Sequence, residues 1–363
     1  MRIAFYAPMK PPDHDTPSGD RQIARLLIAA LEGLGHTVAL ASRLRTWQRD
    51  PDDETVRRNA ADSEREAARI LAAGTRPDLF LTYHVYHKAP DWIGPAVSAA
   101  LDIPYVIVEA SHAEHRRAGP WRTGLEAAER AIRAADAVAV MSARDRRGLA
   151  GVVAPEALYD LAPFIDAAPF RGSARVPHDG PVRLLTVAMM RHGDKEASYR
   201  VLADALSRLG DLDWTLTVAG DGPARDEIAA MFPPDRTRFA GMVERDALPA
   251  LYADADLFVW PGVKEAYGMV YLEAMAAGLP VVGGLDGGVP DVVRDGETGL
   301  LRPATDAAAM AEAIRALIGD SALRRRMGDA AAAHVTERHD IGAASATLEA
   351  ILAAAVARNG ARP

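Results

Sequence analysis

The sequence predicts an α/β protein of two doubly wound, Rossmann-like domains facing each other across a cleft. Three observations predict it. Apolar runs rich in Val, Ile and Leu recur at 3–7, 37–41, 78–82, 105–108 and 137–141, with helical patterns such as 21–34 and 124–135 between them, and this alternation describes βαβ units on a parallel sheet. The pattern starts again beyond a polar, Pro- and Gly-containing segment at 171–181, the expected linker. Finally, 363 residues exceed one ordinary core and suit two domains of roughly 150 to 200 residues each.

In chain order, residues 1–170 form the first domain and 171–340 the second. The second domain has strand candidates at 182–188, 214–220, 257–260 and 280–282, with helices at about 198–209, 225–231, 269–277 and 306–318. The Ala-rich stretch 321–358 reads as two helices with a break near 337–342. Ligands of such sheets bind at the carboxyl ends of the strands, so the informative loops are 8–20, 83–88, 109–117, 189–197, 220–223 and 261–268.

Composition narrows the class of protein. A hydrophobic content of 49%, a charged content of 25% and no long polar tract describe a globular chain rather than a disordered one. The absence of cysteine excludes disulfides, thiolate metal sites and cysteine nucleophiles, and suits a reducing compartment. The first residues enter a strand with too little apolar length for a signal peptide, and no later run reads as a membrane span, so a cytoplasmic protein is expected. A formal net charge of -8 argues against nucleic acid as a partner. One local exception is Arg116, Arg117, Arg122, Arg130 and Arg133 around Trp121. It reads either as a surface meeting anionic lipid at the inner face of the membrane or a phosphorylated acceptor, or as a solvated helix face interrupted by Glu114, Glu126 and Glu129.

The most specific chemistry lies at Glu265 and Glu273, with seven residues between them. A buried strand ends at Trp260, Pro261-Gly262 terminates it, and good helix formers follow Tyr271 until Gly278 and Pro280. Gly268 then stands where the helix begins, so its N–H and those of Met269 and Val270 can face a phosphate. The two carboxylates suit a sugar ring and a ribose diol, because carboxylates accept hydrogen bonds from vicinal hydroxyls. Arg191 and Lys195 follow the first strand of the same domain and can clamp a diphosphate; the competing reading is a pair of surface ion pairs.

Weaker signals remain open. Gly220-Asp-Gly-Pro223 reads as a phosphate turn or as a tight strand-to-helix turn, and Gly19 as a donor contact or a turn residue. His84, His87, His112 and His115 form two His-x-x-His pairs without zinc-site context, so no metal is expected; His84 and His112 are the acceptor-side candidates.

Pro261, Glu265, Tyr267-Gly268, Glu273-Ala-Met-Ala-Ala-Gly-Leu-Pro-Val-Val282, Gly287-Gly288, Asp295-Gly296 and Thr298-Gly299-Leu300 together resemble the donor-binding signature of family 4 glycosyltransferases, the retaining enzymes of GT-B fold. The resemblance is weaker at Gly35-His36-Thr-Val38, Val140-Met-Ser142 and Gly220-Asp-Gly-Pro223. It implies that Glu273 holds the ribose, Glu265 the donor sugar, Gly268 to Val270 the distal phosphate, and Arg191 and Lys195 the diphosphate, with Tyr267 among the donor-binding residues. It also implies that the backbone of Met242 and Val243 meets the base and that a last helix, about 341–363, returns to the first domain. The family places its arginine where this chain has Met189, so Arg191 would act from a shifted position. Pro163-Phe-Ile-Asp166 also departs from the family's Asn-Gly-containing turn.

The implied reaction moves a sugar from a nucleoside-diphosphate sugar, UDP- or GDP-linked, to the hydroxyl of a sugar or lipid-linked acceptor. It needs no cofactor and no metal. The alternatives are a GT-B sugar-nucleotide epimerase, which would need acid and base groups, and a non-catalytic sugar-nucleotide-binding subunit.

Overall fold

The βαβ alternation becomes two parallel sheets in the computed structural model, which describes residues 1–16, 18–171 and 178–361. The chain divides into two compact units, Met1–Ala162 with Ile341–Pro363, and Pro163–Asp340.

Unit 1 runs β1 (Arg2–Tyr6), α1 (Gly19–Gly33), β2 (Thr37–Ser42), α2 (Asp53–Ala72), β3 (Leu79–Val85), α3 (Ile93–Leu101), β4 (Tyr105–Ala110), α4 (Arg122–Ala134), β5 (Ala137–Val140), α5 (Ala143–Leu149) and β6 (Leu158–Asp160). The strands order as β2-β1-β3-β4-β5-β6, all parallel. Tyr6, Phe80, Tyr105, Ile107 and Val138 lie in a core that α3 and α4 cover with Ile93, Val97, Ala128 and Ile132. Successive strands fall on either side of β1, so the order reverses between β1 and β3, the place where open α/β sheets take ligands.

Unit 2 runs β7 (Val182–Val187), α6 (Asp194–Ser207), β8 (Trp214–Ala219), α7 (Arg225–Ala229), β9 (Thr237–Gly241), α8 (Leu248–Ala253), β10 (Leu257–Trp260), α9 (Met269–Ala276), β11 (Val281–Gly284), β12 (Gly299–Arg302), α10 (Ala307–Gly319) and α11 (Ser321–His334). Its order is β12-β11-β10-β7-β8-β9, again all parallel, and it reverses between β7 and β10. The loops after β7 and β10 therefore flank this sheet's switch point.

Several elements differ from the sequence-based expectation. The short strands β6, β9 and β12 and the helices α2, α3, α5 and α8 were not anticipated. Helix α2 is polar along most of its length, starts at an Asp52 cap whose carboxylate accepts from Glu54 and Thr55 N–H, and buries only Val56, Asn59, Ser63 and Ala67. The expected linker at 171–181 falls mostly outside the described residues. The division between units comes earlier, at Ala162/Pro163, because the chain is already bound into unit 2 there. Ile165 N–H donates to His339 O at 2.9 Å and Ala167 N–H to Asp340 Oδ1 at 3.1 Å.

Helix α11 passes into a π-helical turn, Val335–His339, and α12 (Ile341–Gly360) follows. α12 corrects the expectation that no segment is long enough to span a membrane, since its Ala-rich sequence meets the length and composition of a span. Its buried residues Ala344, Leu348, Ile351, Leu352 and Ala355 repeat at helical spacing, and it packs on α1, β4 and β5 of unit 1.

Candidate functional site

In unit 2, β10 ends at the fully buried Trp260 and the chain turns at Pro261-Gly262. The loop to α9 is fastened from three sides: Val263 N–H donates to Ser198 Oγ at 2.9 Å, Lys264 N–H to Asp286 Oδ2 at 2.9 Å, and Gly288 N–H to Ala266 O at 2.5 Å. Gly268 precedes α9 with φ 71°, and a Cβ there would lie 2.6 Å from the Tyr271 ring and 3.1 Å from Glu265 Cγ. Only glycine fits without displacing both. No side chain caps α9, so the N–H groups of its first turn, Met269 and Val270 included, favour an anion.

The loops on the two sides of the switch point meet at an ion pair. Lys195 Nζ lies 2.5 Å from Glu265 Oε2, Trp260 Nε1–H reaches the same oxygen at 3.3 Å, and the ammonium sits 5.4 Å over the Trp260 ring. Both charged side chains are largely shielded, at 29% and 17% exposure. Arg191 is the first exposed residue after β7, because Met190 turns wholly into the core. Gly220 and Gly222 have a structural explanation: added Cβ atoms would stand 1.9 Å from Ala188 O and 2.3 Å from Met190 O, and Met190 N–H donates to Asp221 O at 2.9 Å. That turn supports the Arg191 loop by close backbone contact.

Glu273 is buried, 5% exposed, in the second turn of α9. Tyr252 OH donates to its Oε2 at 2.9 Å, and Arg245 Nη1 stands 3.6 Å from its Oε1. Burial pushes the Glu273 carboxyl above its ordinary range, against the opposing pull of Arg245 and the Tyr252 hydrogen bond. Beyond β9, Met242 is 61% exposed and Val243 half-buried, whereas Tyr267 is buried.

Unit 1 has its own cluster at the strand ends. His84 near the end of β3 and Glu109 near the end of β4 lie on neighbouring strands, and both have left-handed backbone, φ 66° and 62°. His84 Nδ1 contacts Asp20 Oδ1 at 3.1 Å across from the first turn of α1, and its ring stacks on Tyr86 at 4.8 Å. Burial would lower the His84 pKa, but Glu109 and the Asp20 hydrogen bond outweigh it and raise it to about 9. Glu109 is raised in turn by burial, partly countered by His84. Asp20 is held below its ordinary range by His84 although burial works the other way. Ser111 and Ser142 both donate to Asp145, at 2.5 Å each, beside the start of α5.

His112 does not join this cluster. Its side chain is 3% exposed and pairs with Glu129 at 3.4 Å. Gly19 opens α1, and a Cβ there would meet nothing within 4 Å, so packing does not require glycine. In the basic segment three arginines pair with local carboxylates: Arg117 bonds Glu114 and Glu129, Arg133 bonds Glu129, and Arg122 faces Glu126 at 3.9 Å.

No metal was expected, yet among the described residues one group has suitable donors. His192, Glu196 and Glu227 bring ligand atoms within 4.8 Å of one another. His192 and Glu227 are exposed, and Glu196 already accepts from Arg200 at 2.8 Å.

Trp260, Arg245, Tyr252, Asp20, Glu109 and Asp145 were not singled out from sequence. Glu109 alone left a signal, as a carboxylate inside the apolar run Tyr105-Val-Ile-Val-Glu-Ala110.

Residues 181–320 match the family model described as glycosyl transferases group 1. Glycogen synthase of Mycobacterium tuberculosis is 32% identical over 311 residues, covering 80% of this chain and 73% of the relative. D-inositol 3-phosphate glycosyltransferase of Streptomyces avermitilis is 29% identical over 316 residues, 78% and 67% of the respective chains. Among solved structures, sucrose-phosphate synthase of Thermosynechococcus elongatus superposes with a TM-score of 0.73 at 20% identity, covering 96% of this chain and 97% of that one. Anabaena HepE in complex with UDP gives 0.73 at 18% identity, with coverage of 97% and 100%. The chain belongs to the group 1 glycosyl transferases, and its two parallel six-stranded α/β units are of the GT-B class.

Proposed function

We propose that this glycosyltransferase moves a sugar from a UDP- or GDP-sugar to an acceptor hydroxyl with retention at the anomeric carbon and without a metal, in the synthesis of a bacterial polysaccharide, lipopolysaccharide or other glycoconjugate. The observation that carries the reading is the convergence at unit 2's switch point of Lys195, Glu265 and the uncapped start of α9, with Glu273 farther along the same helix. Glu273 accepts from the ribose diol, and the backbone at Met242 and Val243 meets the base. The diphosphate lies on the N–H groups of Gly268, Met269 and Val270, with Lys195 and Arg191 as its cations. Binding transfers Lys195 from Glu265 toward phosphate and frees Glu265 for the hydroxyls of the donor sugar.

As the bond from the anomeric carbon to phosphate oxygen breaks, the cations and the helix start stabilise the charge developing on the departing diphosphate. The acceptor oxygen attacks on the same face and gives its proton to the leaving phosphate, so no side chain acts as general base. Acceptor hydroxyls are assigned to the strand ends of unit 1, where Asp20, His84 and Glu109 offer both donors and acceptors. A cytoplasmic setting fits a chain without cysteine.

The test is a thermal-shift screen with UDP, GDP, ADP, CDP and dTDP sugars, followed by turnover with and without acceptors. A nucleotide at about a hundred times its Kd should stabilise the native state by roughly 2.7 kcal/mol. Transferred sugar supports the proposal; epimerised donor, or binding without turnover, replaces it. Activity should persist in EDTA. Its complete loss, restored by magnesium or manganese, would refute the metal-free mechanism and direct attention to His192, Glu196 and Glu227.

A further inference from the structure

Glu273 can accept a diol at neutral pH only while it remains a carboxylate, and its burial opposes that. The structure supplies two compensating groups from outside α9. Tyr252 on α8 is fully buried and held by edge contacts with Phe170, ring centroids 5.6 Å apart, and by Phe258 at 6.0 Å. Its hydroxyl is therefore a fixed donor, 2.9 Å from Glu273 Oε2. Arg245, in the 3-10 turn Arg245–Ala247 that follows Met242 and Val243, faces the other oxygen at 3.6 Å. Tyr252 supplies its side-chain hydrogen bond and Arg245 its ion pair.

A carboxylate has about four acceptor positions. Tyr252 takes one and Arg245 faces another, which leaves two for a vicinal diol.

Resting on the reading of Glu273 as the ribose acceptor, we propose that Tyr252 and Arg245 are positioning residues that keep Glu273 ionised and oriented, and so set the acid limit of nucleotide affinity. Protonation of Glu273 turns one acceptor oxygen into a donor, so affinity falls as pH drops through the Glu273 pKa. Burial raises that pKa, and Arg245 and Tyr252 oppose the rise. Removing either partner should move the loss of affinity to higher pH.

The experiment measures the Kd of UDP, and of GDP, from pH 5 to 8 for the full chain and for Tyr252→Phe, Arg245→Gln and Glu273→Gln, with inorganic pyrophosphate as a ligand that lacks ribose. Circular dichroism confirms folding; Tyr252→Phe removes one hydroxyl and leaves the ring packing in place. Expected is a shift of the acid limb by about one pH unit in each partner variant, appearing as roughly tenfold weaker nucleotide binding near the limb, with pyrophosphate affinity unchanged. In a Glu273→Gln background neither partner substitution should move the pH profile further. If Glu273→Gln weakens nucleotide binding but the partner variants leave the profile in place, the positioning role is wrong and the ribose contact stands. If Glu273→Gln binds nucleotide as tightly as the wild type, the ribose contact itself fails, and this inference with it.

Discussion

Around the switch point of unit 2 the left-handed backbone positions are mostly glycines, at 193, 220, 222, 262, 268 and 287, joined by Lys264. In unit 1 the left-handed residues at the strand ends are His84 and Glu109. Glycine lets bare backbone approach a ligand or another loop, which suits phosphate held by N–H groups and cations. The strained residues of unit 1 spend the same backbone geometry on aiming two ionisable side chains from adjacent strands. Under the proposed function, this difference corresponds to anion binding by one sheet and hydroxyl recognition by the other.

The largest test of this contrast is substitution in the ion pair of unit 2. Lys195→Ala should lower kcat by about two to three orders of magnitude, because it removes a cation from the developing diphosphate and leaves Glu265 unpaired. Glu265→Gln should lower turnover more than it lowers affinity for the free nucleoside diphosphate. By comparison, Asp20→Asn and His84→Gln should raise acceptor KM while calorimetry finds nucleoside diphosphate affinity unchanged. Equal loss of nucleotide affinity from either unit's variants would end the division of labour.

A second pair of measurements sharpens the comparison through two histidines with opposite pKa shifts. In unit 1, burial lowers the His84 pKa but Glu109 and Asp20 raise it further, to about 9. Its stabilisation is complete below about pH 6.5 and disappears as pH rises through 9, about 3 kcal/mol at most. In unit 2, burial holds the His339 pKa down at about 4. The His339 Nδ1–H donates to Pro163 O at 2.6 Å, and with the ring neutral its bare Nε2 faces His334 Nε2 at 3.2 Å, where His334 is the donor. The unfolded histidine binds a proton near pH 6.5 and the native one does not, so stability is lost as pH falls from 6.5 toward 4, roughly 2 kcal/mol by pH 5. Thermal melts from pH 5 to 10 should weaken at both ends. Glu109→Gln should blunt the alkaline loss and His339→Asn the acid loss; an exchange of those effects would contradict the environments described.

The smallest expected effect is at Gly19. Because a methyl group there meets nothing within 4 Å, Gly19→Ala should leave the melting temperature within about a degree, while kcat/KM for the donor falls a few-fold if backbone must approach it closely. Unchanged donor kinetics would remove Gly19 from the donor site.

The proposed donor half of this site was readable from sequence because its chemistry depends on spacing. Glu265, Gly268 and Glu273 sit in one strand-loop-helix unit, and glycine and proline mark its turns. Lys195 was linked to them by its place after a strand and by the family resemblance; its direct contact with Glu265 follows from β7 and β10 becoming neighbours by a reversal that local pattern does not reveal. Tyr252 and Arg245 lie in a stretch to which the sequence assigned no element, and their contacts with Glu273 appear only in the folded unit. The unit 1 cluster was less legible still: His84 stood out only as part of a His-x-x-His pair without zinc-site context, and the left-handed backbone that aims it belongs to residue types for which it is unexpected. His112 looked equivalent to His84 in sequence but is paired with Glu129.

The stitching of Ile165 and Ala167 to His339 and Asp340 also bears on how the protein is made. Unit 2 is an insertion whose entry and exit lie side by side, through the bridge between Ile165 and Asp340. During synthesis every residue of unit 2 emerges before α12, so the inserted unit can close on itself while its host still lacks a helix that covers α1, β4 and β5. Apolar surface on those elements stays open until α12 emerges, so the host unit is completed only after the unit inserted into it.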